Sequence, residues 1–177
     1  MMSTHNKKNT QRLDAAFFAR NALDVAPGLL GKILVRQFDN GEIKRYRITE
    51  TEAYCGTSDL ACHASKGRNK RTETMFGEPG LIYVYLIYGM YWLLNIVTSE
   101  IDYPAAVLIR SVEGINGPGR VGRELQLNKT FNGKSVLDSN LLWIEDDGTC
   151  MKYKTSTRIG VDYAGEWAQK PWRFFSV

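Results

Sequence analysis

The chain lacks the devices that hold small or exported proteins together. Three cysteines among 177 residues are too few, and odd in number, for a disulfide scaffold, so they read as free thiols in a reducing compartment. Cys55, Cys62, His63 and Cys150 do not make a structural zinc site either, because an adjacent Cys-His lacks the short paired spacing such sites use. No apolar run approaches the ~20 residues of a membrane-spanning helix. The longest, Leu81 to Val97, is interrupted by Gly89 and several tyrosines, so no membrane partner is expected. Met1 to Arg12 are polar and lack the apolar stretch of a secretion signal, which makes the cytoplasm the default. A phosphate-binding P-loop, a dinucleotide fingerprint and a Gly-x-Ser-x-Gly elbow are all missing, so nucleotide cofactors are not indicated. Internal repeats and low-complexity segments are missing too.

What is present fits one ordinary globular domain: 44% apolar and 24% charged residues in a 177-residue chain. Folding at this size buries about two-thirds or more of the unfolded surface, so a core needs no covalent staple. A poorly ordered tail is expected over residues 1–12 and a single domain over 13–177. The 23 Lys and Arg against 19 Asp and Glu give a net charge of +4, which permits a nucleic-acid partner without requiring one. Lys66, Arg68, Lys70 and Arg71 cluster in a polar stretch, and Arg120 and Arg123 follow a Gly-Pro-Gly turn. Taken singly, each cluster reads more simply as a solvated loop.

The apolar spacing of Leu13, Phe17 and Leu23 predicts a short first helix, with Pro27 near the start of a second apolar turn. Lys32 to Phe38 switches to strand character. Asp39-Asn40-Gly41-Glu42 then marks a tight hairpin, since Asn-Gly tolerates the positive φ angles of such turns. On the returning strand, Ile43 to Tyr54, strict alternation places Ile48, Glu50, Glu52 and Tyr54 on one face. Cys55 to Gly80 keeps no period, and so long a structureless stretch is more often functional than idle. Leu81 to Ile87, Met90 to Thr98 and Ala105 to Val112 predict a meander, and Gly117 to Asn128 a short helix. Leu141 to Ile144, Thr157 to Val161 and Phe174 to Val177 are weaker strand candidates. Runs of strands with few helices indicate an α+β domain with a largely antiparallel, curved β-sheet and flanking short helices.

Two carboxylates and a tyrosine on one strand face are by themselves an ordinary solvated surface. His63 adds a group that titrates near neutrality. Aromatic residues in Leu81 to Trp92 would normally just pack, but Tyr88 at a Tyr-Gly hairpin tip has little core to enter and could wedge into a base stack.

Together these blocks resemble a known family. Glu50-Thr51-Glu52-Ala53-Tyr54, His63, Met75-Phe76 before Pro79-Gly80, and Tyr83 through Tyr91 to Asn95 are similar to the alkyladenine (3-methyladenine) DNA glycosylases. Leu108-Ile109-Arg110, Gly117-Pro118-Gly119, Leu127-Asn128-Lys129, Arg158-Ile159-Gly160-Val161 and Ala164 to Ala168 with Lys170-Pro171 continue the likeness in order, from about Ala15 to the C-terminus. Trp92-Leu93-Leu94 departs from it.

The resemblance implies a monofunctional base-excision-repair glycosylase. Such an enzyme flips alkylated or deaminated purines (3-methyladenine, 7-methylguanine, hypoxanthine, ethenoadenine) out of double-stranded DNA and hydrolyses the N-glycosidic bond with an activated water. It assigns Glu52 as the general base. Tyr54, His63 and Tyr85 become the aromatic walls that stack the base, Asn95 the group that crowds the amino group of guanine, and Arg110 a lining group near Glu52. Tyr88 becomes the wedge, and Met90, Tyr91, Arg68, Arg71 and Arg120 further DNA contacts. No metal and no cofactor are implied, and the expected form is a monomer in the cytoplasm, at the nucleoid of a bacterium, or in the nucleus of a eukaryote. Three other readings compete with this one. A lyase using Lys66 or Lys70 is disfavoured because lysines in a basic loop stay protonated. A noncatalytic damage binder leaves Glu52 unexplained. A metal nuclease built on Glu50, Glu52, Asp59 and Glu73 would need divalent metal.

Overall fold

In the computed structural model, which describes residues 10–177, the elements run in order β1 (Gln11–Arg12), α1 (Ala15–Phe18), α2 (Ala22–Gly28), β2 (Ile33–Gln37), β3 (Ile43–Cys55), β4 (Ile82–Ile87), β5 (Tyr91–Val97), β6 (Ala105–Val112), β7 (Ile115–Asn116), α3 (Pro118–Glu124), β8 (Leu142–Asp146), β9 (Tyr153–Ser156) and β10 (Arg173–Ser176). All pairings are antiparallel, in the order β1-β8-β2-β3-β6-β5-β4, with β10 joining β3 and β9, and β7 joining β6. The α+β reading of the sequence holds. Met1 to Asn9 of the expected tail lie outside the described residues; Gln11 and Arg12 pair with Asp146 and Glu145 as β1. No described helix is long and apolar enough to cross a membrane.

β3 organises everything else. β6 takes one edge of it from Ile48 to Cys55, while β2 and then β10 share the other, β2 over Ile43–Arg47 and β10 over Glu50–Glu52. The pairing with β6 is irregular where the carboxylates begin. Ile48 faces Val112, Glu50 faces Ser111 and Thr51 faces Ile109, so Thr49 is an extra residue on β3 and Arg110 an extra residue on β6. An extra residue reverses the alternation. Ile48 is therefore not on the face of Glu50, Glu52 and Tyr54, as strict alternation predicts; it is fully buried in the main core together with Ala53 and Cys55.

That core lies between the sheet and α2, and includes Val25, Ala26, Leu34, Ile82, Leu94, Ile96, Val107, Ile109 and Ile144. Each large apolar side chain among them, fully buried, contributes about 1.5–3 kcal/mol. The single helix expected over Leu13 to Leu23 is two. Asp14 caps α1 by accepting from the Phe17 N–H, and Asn21 starts α2 anew by accepting from the Leu23 N–H. Pro27 lies inside α2 rather than opening a later turn. The strand expected over Thr157 to Val161 is also absent, because the backbone there serves buried partners instead of a ladder; β9 precedes it.

The β4–β5 hairpin closes through the Met90 N–H donating to Ile87 C=O, with Tyr88 at φ 50° and Gly89 at φ 66°. Both central residues are left-handed, which matches the sheet twist but costs a non-glycine residue about 1–2 kcal/mol. Tyr88 is 88% exposed at this tip. α3 braces the hairpin from one side: a Cβ on Gly122 would stand 1.8 Å from the Trp92 carbonyl oxygen, an approach only glycine permits.

Candidate active site

Glu52 is fully buried, and three donors converge on it. Tyr54 Oη donates to Oε2 at 2.7 Å, the Ile159 backbone N–H donates to Oε1 at 2.8 Å, and Arg110 Nη1 stands 3.5 Å from Oε1. Burial pushes the Glu52 carboxyl above the ordinary carboxylate range, while Arg110, the Ile159 N–H, Tyr54 and Arg158 pull it back. The result is a poorly hydrated carboxyl whose pKa is raised by burial and opposed by the donors and cations around it. Glu50, two residues earlier, is fully occupied. It accepts from Ser111 Oγ at 2.7 Å and from Arg173 Nη1 at 3.0 Å, and Arg110 Nε lies 3.3 Å from it. The bulge on β6 places both Arg110 and Ser111 within reach of this carboxylate.

The partners of Glu52 open onto a cavity of 540 Å³: Tyr54, Arg110 and Ile159 line it, whereas the fully buried Glu52 is not itself one of its lining residues. Of the residues singled out from the sequence, Tyr54, His63, Tyr85, Tyr88, Asn95 and Arg110 line it together. His63 and Tyr85 meet edge to face at 4.4 Å between ring centres, and a 2.9 Å hydrogen bond joins His63 Nδ1 to the Tyr83 hydroxyl. Burial and the Arg71 guanidinium lower the His63 pKa to about 4, so the ring is neutral at physiological pH and is a hydrogen-bonding wall rather than an acid. Burial raises the phenols of Tyr54, Tyr83 and Tyr85, and all three stay protonated. Asn95 is buried and donates its amide nitrogen to the Tyr83 carbonyl at 3.3 Å while lining the cavity.

The cationic residues divide. The Arg71 guanidinium lies 5.8 Å from the Tyr85 ring centre, near the cavity. Arg68 is engaged within the fold, paired with Glu73 at 3.3 Å and with Asp102, and lying over the Phe76 ring. Arg120 lines a different concavity, and Arg123 donates to the Tyr91 hydroxyl at 3.2 Å. Met90 is exposed beside Tyr88, and Tyr91 is half-buried. Among the described residues, no three His, Cys, Asp or Glu side chains gather to hold a metal ion. Asp59 pairs instead with Arg158, and Glu73 with Arg68.

The segment from Arg158 to Tyr163 completes the site. Ile159, Gly160, Val161 and Tyr163 line the cavity, although residue pattern alone suggests a strand here. The signal is weak because the segment's main contribution to Glu52 is a backbone N–H, which no side-chain pattern encodes.

Comparison with known proteins matches residues 16–116 and 112–177 to the family described as Methylpurine-DNA glycosylase. Relatives are found in Methanocella arvoryzae (47% identical, 90% of this chain and 89% of the relative) and Natranaerobius thermophilus (38%, 93% and 94%). Another occurs in Rickettsia felis (43%, 92% and 91%). Each bears the name "Putative 3-methyladenine DNA glycosylase".

Proposed function

The chain belongs to the methylpurine-DNA glycosylase family, and from that premise we propose that it hydrolyses the N-glycosidic bond of a damaged purine flipped into the aromatic cavity, with Glu52 as the base that activates water. As a member of that family it is a DNA glycosylase of base-excision repair. The observation that carries the finer reading is the buried Glu52, whose three partners Tyr54, Arg110 and Ile159 all line a cavity that His63 and Tyr85 also wall.

Tyr88, exposed on a strained turn, replaces the extruded nucleotide in the stack, which offsets part of the few kcal/mol that flipping costs. The π faces attract cationic bases such as 3-methyladenine and 7-methylguanine. The water oxygen bonds to C1′ as the C1′–N bond breaks. Glu52 takes the water proton, the base leaves with the bonding electrons, and the carboxylate offsets positive charge developing on the sugar. A cationic purine leaves neutral. Hypoxanthine and ethenoadenine, being neutral, need a proton as they leave. Asn95 rejects guanine by crowding its amino group. No lysine lines the cavity among the described residues, which favours hydrolysis over a lyase.

The test is excision in chelator on a duplex bearing a single hypoxanthine or 7-methylguanine. Strand scission is expected only after alkali, with no borohydride-trapped adduct. Scission without alkali, or none with either lesion, would overturn the reading.

A further inference from the structure

Asp59 and Arg158 are both completely buried and joined by two hydrogen bonds, 2.6 and 2.9 Å long. A buried ion pair is a poor source of stability, since two desolvated charges recover little more than well-packed apolar side chains would give. The placement of this pair is more telling. Arg158 also donates to the Ala53 carbonyl at 2.9 Å, on the strand between Glu52 and Tyr54, and to the Trp167 carbonyl at 3.1 Å. Its guanidinium lies between two rings, 4.8 Å from the centre of Tyr54 and 4.9 Å from that of Trp172. Asp59 is anchored in turn by the backbone N–H groups of Cys55 and Ala61.

We propose that Arg158, clamped by Asp59, is the positioning residue of Glu52. The residue after Arg158 supplies the N–H that holds Glu52 Oε1, and the ring under its guanidinium supplies the hydroxyl that holds Oε2. One guanidinium thus fixes both neutral donors on the carboxylate, as well as the strand that bears it. Only the contact from Arg110, on β6, is independent of it. The groups facing Glu52 are Arg110 and Arg158 as cations and Tyr54 and Tyr85 as neutral phenols, with Glu50 beyond Arg110; the two cations oppose the upward shift that burial imposes on Glu52.

This proposal rests on Glu52 being the base, and its test keeps the two apart. Three variants are compared with wild type: Arg158→Lys, Arg158→Met and Asp59→Asn. Each is measured for melting temperature, affinity for a lesion duplex, single-turnover excision at saturating enzyme across pH, and hydrogen-exchange protection of the Ile159 amide. Lysine keeps the charge but cannot reach all four acceptor atoms on Asp59, Ala53 and Trp167. Arg158→Lys is therefore expected to bind the lesion duplex within about threefold of wild type, to excise roughly 10- to 100-fold more slowly, and to lose protection at Ile159. Asp59→Asn should behave likewise. Arg158→Met should in addition move the acid limb of the rate profile to higher pH, because a cation that favours the Glu52 anion is gone. If Arg158→Met fails to fold, the other two variants decide. Folded Arg158→Lys with wild-type excision and a protected Ile159 amide would overturn the proposal, as would rates that fall only with the folded fraction. A wild-type protein that excises no lesion would instead refute the base assignment, and the Ile159 amide would still report whether Arg158 positions the carboxylate.

Discussion

Two concavities among the described residues have the same size, 540 Å³ each, and little else in common. One lies between the β4–β5 hairpin and the Arg158–Tyr163 segment, walled by tyrosines, a neutral histidine and the residues that hold a buried carboxylate. The other lies between the β2–β3 turn and α3, lined by Asp39, Glu42, Lys44, Arg120, Arg123 and Glu124 with Phe38 and Ile115. Its charges are largely spent on one another and exposed. Lys44 stands 3.5 Å from Glu124, which also accepts from the Tyr46 hydroxyl. Volume does not distinguish them. The difference is desolvation: a charge kept dry and surrounded by donors can do chemistry, whereas the same charge in water is screened.

The comparison is sharpened most by one carboxylate from each place. Glu52→Gln should retain lesion binding and lower single-turnover excision by about 10²–10⁴-fold. Glu124→Gln, in the other concavity, should change it by less than about twofold. In wild type the rate should fall on the acid side at a pH above the ordinary carboxylate range, since burial raises the pKa of Glu52. Equal losses from both substitutions would erase the distinction between the two places.

Next in size is Tyr88→Ser, expected to cost roughly tenfold in discrimination between lesion and intact duplex, with a smaller defect on a bulged substrate whose base is already unstacked. Equal losses on both substrates would make Tyr88 a part of the fold alone.

A smaller effect separates the concavities by acid. His63 has a folded pKa near 4 against about 6.5 unfolded, so between those values the unfolded chain binds the extra proton. Stability is therefore undiminished above pH 6.5 and declines as pH falls toward 4, and His63→Gln should flatten that part of the melting-temperature curve. Among the described residues, no histidine lines the other concavity. An unchanged acid slope in His63→Gln would show that the ring is not held neutral by its surroundings.

The smallest effect tests whether the second concavity touches DNA at all. Arg120→Ala with Arg123→Ala should flatten the plot of log affinity against log salt by about 0.9 for each phosphate left without its cation, with excision at saturating enzyme unaltered. An unchanged slope would leave that concavity off the DNA path.

The strand order of the meander, the Asn40-Gly41 turn and the short α3 can be read from the sequence because each depends on neighbours close along the chain. So can most residues around the cavity, since they come in blocks on β3 and on the β4–β5 hairpin. Two things are not legible. The extra residues at Thr49 and Arg110 reverse alternation through pairing between distant strands, so Ile48 looks like a companion of Glu50 when it belongs to the core. The Ile159 N–H reaches Glu52 across 107 residues of sequence, and a main-chain donor leaves no trace in residue type. Nor is the pairing of Arg68 with Glu73 and Asp102 legible, since it joins the basic loop to a residue 34 positions away.

Because β3 is paired on both edges where it carries Glu50 and Glu52, its amides have no local route to solvent. Their deuterium exchange should report only the rarest, global opening of the protein, while the amides of Tyr88 and Gly89 at the hairpin tip exchange far faster. The buried carboxylate is thereby held as durably as the whole domain. Heating should abolish catalysis and structure in a single step, and the working life of the enzyme should be set by the rate at which the entire sheet comes apart.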